Sequence, residues 1–144
     1  MRKPYIGITL GDVHGIGPEI VLKTVLDKRI YDVCNPVVIG DQETIIKTIN
    51  DFDMSINIHV IERLNQGKYE FGTLDLIDMK NIDITQFSYG EVSAMAGRAA
   101  YEYIEKAVQL LDSEPDTGIV YCHAMLFGAV ESEWVLPAYS LEEM

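Results

Sequence analysis

Gly11-Asp12-Val13-His14-Gly15-Ile16-Gly17-Pro18-Glu19 is the stretch on which the reading of this chain turns. Tyr5 to Leu10, just before it, is short, β-branched and closed by a glycine, which predicts a buried strand. Proline is best tolerated at the first position of a helix, so Pro18 marks a helix start, and Glu19 places an acidic side chain in its first turn. Ile20, Val21, Thr24 and Val25 then fall on one face, predicting a helix to about Leu26. A strand, a glycine turn and a helix N-terminus in that order predict a loop at the open end of an α/β sheet.

Working outward, Pro36 to Gly40 predicts a second strand, and Asp41 a cap for a helix running through Ile45, Ile46 and Ile49. Asn57 to Ile61 and Leu74 to Asp78 read as two further strands. Ser88 to Gly90 is a turn before a long helix from about Glu91 to Leu111. Ala96, Ala99, Ala100, Tyr103, Ile104, Ala107 and Leu111 make its apolar stripe, with residues small enough for close packing. Gly118 to Cys122 predicts another buried strand. Strands and helices alternate, so the fold class is α/β, a sheet with helices on its faces. No internal repeat, low-complexity tract or linker interrupts the pattern.

The 144 residues are 48% hydrophobic, enough to build one core. The formal net charge is -12, from 23 acidic and 11 basic side chains. That field repels nucleic acid and anionic membranes, so neither is an expected partner. A phosphorylated small molecule stays compatible, because a few aimed N–H groups or cations can hold phosphate inside an acidic protein. Cys34 and Cys122 lack metal-ligand spacing and read as reduced thiols. The run after Met1-Arg2-Lys3-Pro4 is too short for a secretory leader, and no stretch reaches membrane-spanning length. The expected location is cytoplasmic.

Gly11, Asp12, Gly15, Gly17 and Glu19 are the candidate residues of a substrate or cofactor cleft. Glycine permits tight turning and close ligand approach, and a helix N-terminus attracts anions. The loop is not the dinucleotide fingerprint, since Ile20 stands where the third glycine belongs. A tight turn without a ligand explains the same glycines equally well. Asp12 suits backbone N–H groups of its own turn. His14 has no obvious partner in the sequence, and His59, among Ile56, Ile58 and Val60, reads as a structural histidine.

Ile6 to Ile20 resembles the opening of the 4-hydroxythreonine-4-phosphate dehydrogenase family, which reads Ile-Thr-x-Gly-Asp-Pro-Ala-Gly-Ile-Gly-Pro-Glu. Val13 and His14 replace the family's Pro-Ala. Isocitrate and isopropylmalate dehydrogenases carry a similar turn, and the resemblance implies the N-terminal portion of their fold. Pro36-Val-Val-Ile-Gly-Asp41, Ile61-Glu62-Arg63, Leu74 to Asp78 and Gly90 to Gly97 follow in the family's order, so the match covers residue 5 to about 120. The spacing around Ile61-Glu62-Arg63 and Ile77-Asp78 is similar to the branch acting on threonate or erythronate 4-phosphate. The resemblance implies a homodimeric, NAD-dependent enzyme that oxidises the 3-hydroxyl of a phosphorylated four-carbon hydroxy acid. A divalent metal (zinc, magnesium or cobalt) polarises that hydroxyl, and the β-keto acid then loses carbon dioxide.

After Gly118-Ile119-Val120 the resemblance lapses. Tyr121-Cys122-His123-Ala124-Met125-Leu126 stands where the family has Thr-Ala-Pro-(Ile/Leu)-Asn-Lys, and Pro137-Ala138-Tyr139-Ser140 where it has Gly-His-Thr-Glu. No catalytic residue and no metal ligand is therefore carried over, and His123 is not promoted to one. The expected division is a family-like unit over 1–120 and a divergent tail over 121–144, from a truncation or frameshift. The tail, with Ala124 to Val130 and Trp134 to Leu136 lacking a clean period, is expected to pack poorly. Three functions follow: a family dehydrogenase inactive as this chain alone and binding no NAD or metal by itself, a non-catalytic binding module, or an isocitrate- or isopropylmalate-type fragment.

Overall fold

A computed structural model describes the backbone of residues 3–112, 114 and 117–120. Five strands form one sheet: β1 Tyr5–Thr9, β2 Asn35–Gly40, β3 Asn57–Val60, β4 Thr73–Asp78 and β5 Thr117–Val120. Every neighbouring pair is parallel, in the order β3-β4-β2-β1-β5. Four helices connect them: α1 Gly17–Val25, α2 Ile30–Val33, α3 Gln42–Asp51 and α4 Ala94–Leu111. The expected α/β class is what the chain adopts.

The parallel arrangement explains the sequence pattern. Strands covered on both faces need continuous apolar runs, and Val37, Val38 and Ile39 of β2 are all buried. Pro36 sits inside β2 without breaking the ladder. It pairs with Ile6 of β1, whereas pairing with β4 begins only at Val38. Its missing N–H therefore faces no partner strand. α4 lies across β1, β2 and β5, and α1 packs on α3. Ala96, Ala99, Ala100, Tyr103 and Ala107 of the expected stripe are buried on the sheet side of α4, Ile104 is only half-buried, and the Leu111 side chain lies outside those described. Tyr103 is fully buried, and its hydroxyl donates to Asn81 Oδ1 at 2.9 Å.

Several boundaries differ from the sequence reading. α4 begins at Ala94, three residues after Glu91, because Ser93 caps it by accepting from the Ala96 amide. The preceding Gly90 has φ 73°, a left-handed conformation that ends the turn before the helix. β3 stops at Val60, although the Ile61 amide still donates to Leu76 O at 2.9 Å. α2 and the short 3₁₀ turns Leu64–Gln66 and Ile84–Gln86 were not legible in the sequence, since each is too short to show a period. The expectations for residues 121–144, including Tyr121 and Cys122 as strand residues, lie outside the described residues.

Candidate functional site

All strands being parallel, their carboxyl ends share one edge, where ligands of open α/β sheets bind. The loop Gly11 to Ile16 leaves that edge from β1, between β2 and β5 in the sheet order. The chain builds outward from β1 through β2 on one side and returns to place β5 on the other, so the loop stands at the strand where the winding reverses.

Four of the five candidate residues have a distinct duty in the fold. Gly11 has φ 73°, a region that disfavours a side chain. Asp12 Oδ1 accepts from the His14 amide at 2.9 Å, and Asp12 O accepts from the Gly15 amide at 3.0 Å, closing the turn. Gly17 has no room for a side chain, since a β-carbon would lie 2.3 Å from Leu10 O. Glu19 forms an i,i+4 pair with Lys23 at 2.8 Å on the surface of α1. Gly15 alone carries no such demand: a β-carbon there would make an ordinary 3.5 Å contact with Asp12 O. The start of α1 also lacks a side-chain cap, because its N-cap residue is Ile16. Fold geometry thus accounts for Gly11, Asp12 and Gly17, while Gly15 is half-buried and the start of α1 has no side-chain cap.

His14 departs from its sequence reading, in which it had no partner. It is 2% exposed. Its Nδ1 lies 3.0 Å from Glu91 O, the Ser88 amide donates to its Nε2 at 3.3 Å, and its own carbonyl accepts from Gly90 N at 2.7 Å. Its ring meets the Phe87 ring edge-on at 4.9 Å. The partners lie more than seventy positions away in sequence, so only tertiary folding supplies them. Together His14, Gly15, Ile16, Pro18 and Glu19 line a cavity of about 240 Å³ closed by Thr48, Phe52, Tyr89 and Gly90.

Next along the edge, a cavity of about 350 Å³ lies beside the ends of β2 and β4, lined by Asp41, Gln42, Glu43, Asp78, Lys80 and Ile82. Two carboxylates occupy the N-terminus of α3. Asp41 Oδ1 accepts from Thr44 N at 2.9 Å and Thr44 Oγ1 at 3.0 Å, as a cap should. Asp78 Oδ1 accepts from Gln42 N at 3.0 Å, a contact the sequence gave no means of finding. The amides of α3 are thereby engaged by the protein's own anions, which leaves α1 as the helix start with unengaged capping positions at this edge.

His59 is the structural histidine expected. Its Nδ1 lies 2.8 Å from Oδ1 of the buried Asp75, which also accepts from the Lys68 and Tyr69 amides. Among the described residues no group of three or more His, Cys, Asp or Glu is placed to hold a metal ion. No described helix is long and apolar enough to cross a membrane.

Known proteins resemble this arrangement. Residues 32–124 match the family model described as pyridoxal phosphate biosynthetic protein PdxA. A Clostridium botulinum protein named "Putative D-threonate 4-phosphate dehydrogenase" is 44% identical over 109 residues, covering 76% of this chain and 33% of the relative. A Fusobacterium nucleatum protein of the same name is 46% identical over 105 residues, covering 73% and 32%. The crystal structure of a 4-hydroxythreonine-4-phosphate dehydrogenase from Burkholderia phymatum superposes with TM-score 0.77 at 38% identity, over 83% of this chain and 36% of that one. The chain spans about a third of the length of the curated relatives it matches. With a parallel sheet, the glycine loop at its carboxyl edge and a family match over most of its length, the chain belongs to the PdxA family.

Proposed function

We propose that this chain is the N-terminal portion of a dehydrogenase acting on a phosphorylated four-carbon hydroxy acid, with an isocitrate- or isopropylmalate-dehydrogenase-like fold. The observation that carries this is the 44% identity over 109 residues to a relative named for D-threonate 4-phosphate. D-threonate 4-phosphate is the preferred substrate, ahead of erythronate 4-phosphate and 4-hydroxythreonine 4-phosphate. Gly11, Asp12, Gly15, Gly17 and Glu19 line the substrate or cofactor cleft. In that role Gly15 lets a ligand approach the backbone, Gly11 and Gly17 hold the loop's shape, and Asp12 fixes the turn.

NAD is the hydride acceptor in this reading, a divalent metal polarises the hydroxyl, and the working unit is a cytoplasmic homodimer. The described residues offer no donor group that fits such a metal, so no step through it is assigned to them. Residues 1–120 form the family-like unit and 121–144 depart from it, although the family match itself runs to residue 124.

A chimera tests the assignment. Residues 1–120 of this chain replace the matching third of the Clostridium botulinum relative, and NADH formation is followed with D-threonate 4-phosphate and 4-hydroxythreonine 4-phosphate. Turnover of the first at a rate near the parent's is expected. A folded, dimeric chimera inactive on both overturns the reading.

A further inference from the structure

The segment Phe87 to Glu91 lies between the glycine loop and α3 as a strap. On one side it is held by His14. On the other, the Tyr89 hydroxyl donates to Asp51 Oδ2 at 2.6 Å, and the Lys47 ammonium lies 5.4 Å and 5.2 Å from the Phe87 and Tyr89 rings. Phe87 and Tyr89 meet edge-on at 4.8 Å. Ser93, two residues beyond the strap, is the cap of α4.

The chemistry at His14 admits one protonation state. A backbone N–H can only donate and a carbonyl can only accept. The Ser88 amide therefore requires a lone pair on Nε2, and Glu91 O requires a proton on Nδ1. That is the neutral Nδ1–H tautomer. A second proton on Nε2 would point at the Ser88 N–H, replacing a hydrogen bond by a contact between two donors in a buried place. We propose that His14 is a positioning residue: as a neutral Nδ1–H tautomer it clamps the strap 87–91 onto the glycine loop, and its protonation releases the Ser88 end of that strap.

The charged and titratable groups around it come from three directions. Asp12, in its own loop, bonds the His14 backbone amide, and Glu19 lines the same cavity. The strap contributes Tyr89 and the Glu91 side chain. α3 contributes Lys47 and Asp51, which stay engaged with Tyr89 whichever state His14 adopts. Release is therefore confined to the Ser88 end, since the Gly90 amide stays on the His14 carbonyl, Nδ1–H stays on Glu91 O and Tyr89 keeps its hold on α3. The inference concerns the described residues alone and stands apart from the dehydrogenase reading.

Two NMR measurements on the ¹⁵N-labelled 144-residue chain test it. Long-range correlations of the His14 ring nitrogens at neutral pH are expected to show the Nδ1–H tautomer. As falling pH protonates His14, the protection factor of the Ser88 amide is expected to drop by about five- to tenfold, the loss of one hydrogen bond, while that of Gly90, bonded to the His14 carbonyl, is expected to hold. In His14→Asn, whose side-chain amide can still donate to Glu91 O, that pH-dependent step is expected to vanish. An Nε2–H tautomer at neutral pH overturns the proposal, and needs no variant to fold. Protonation of His14 without a change at Ser88 overturns it equally.

Discussion

Gly17 approaches the carbonyl of Leu10 so closely that a β-carbon at 17 would lie 2.3 Å from that oxygen. Neither partner is a flexible side-chain tip, so the first turn of α1 would have to move away from the end of β1. Gly17→Ala is expected to destabilise the fold by on the order of 3 kcal/mol. Gly15→Ala, two residues earlier and with only a 3.5 Å contact to meet, is expected to stay within about 0.5 kcal/mol. Urea unfolding followed by circular dichroism compares the two. A Gly15→Ala change that leaves stability intact and weakens ligand binding would assign Gly15 to the ligand.

Asp75 and His59 are unequal partners. The Asp75 side chain is 1% exposed and that of His59 is 32% exposed. Asp75→Ala also strands the Lys68 and Tyr69 amides, so a loss of roughly 2–4 kcal/mol is expected. His59→Ala leaves those amides bonded and is expected to cost about 1 kcal/mol or less. Equal losses in thermal or urea unfolding would contradict this ordering.

The cap at Asp41 is a buried one, with three donors converging on its carboxylate. Asp41→Ala is expected to cost about 2 kcal/mol, the upper part of the range for caps, because water cannot replace the lost acceptor. Asp41→Asn keeps one oxygen for Thr44 and is expected to recover part of that. Hydrogen exchange at the Thr44 amide reads the local effect directly.

Burial pushes the Tyr31 hydroxyl up to about 12, with the charges of Asp75 and Cys34 adding to it. Burial likewise holds Tyr103 well above its ordinary value. An unfolded tyrosine ionises near 10. Below that value both states are neutral and stability is fully present. From 10 towards 12 the unfolded state alone gains charge, so stability falls as pH rises. Tyrosinate absorbance from Tyr31 and Tyr103 is expected to rise together with loss of the circular dichroism signal. Ionisation of either while the fold persists would contradict the burial argument.

The 144-residue polypeptide by itself is expected to form no NADH from D-threonate 4-phosphate or 4-hydroxythreonine 4-phosphate with zinc, magnesium or cobalt. Its described residues lack a metal-holding group, and it spans a third of its relatives' length. Turnover that survives removal of trace host enzyme overturns this expectation.

The sequence alone determined those features that depend on neighbours along the chain. The apolar run Tyr5 to Leu10, the turn at Gly11, the proline-started α1, the Asp41 cap and the alanine stripe of α4 all obey local periods and local hydrogen bonds. They sufficed for the α/β class and for the family resemblance. Strand order was not legible, because β3 reaches the sheet edge beyond β4 and no local pattern encodes that excursion. The environment of His14 was hidden for the same reason: Ser88 and Glu91 meet it only after the sheet and α4 bring the two loops to one edge. Even the separation of Gly17 from Gly15 needed the tertiary structure, since a glycine's necessity depends on which atom stands where its side chain would be, and that atom, Leu10 O, belongs to the residue just after β1.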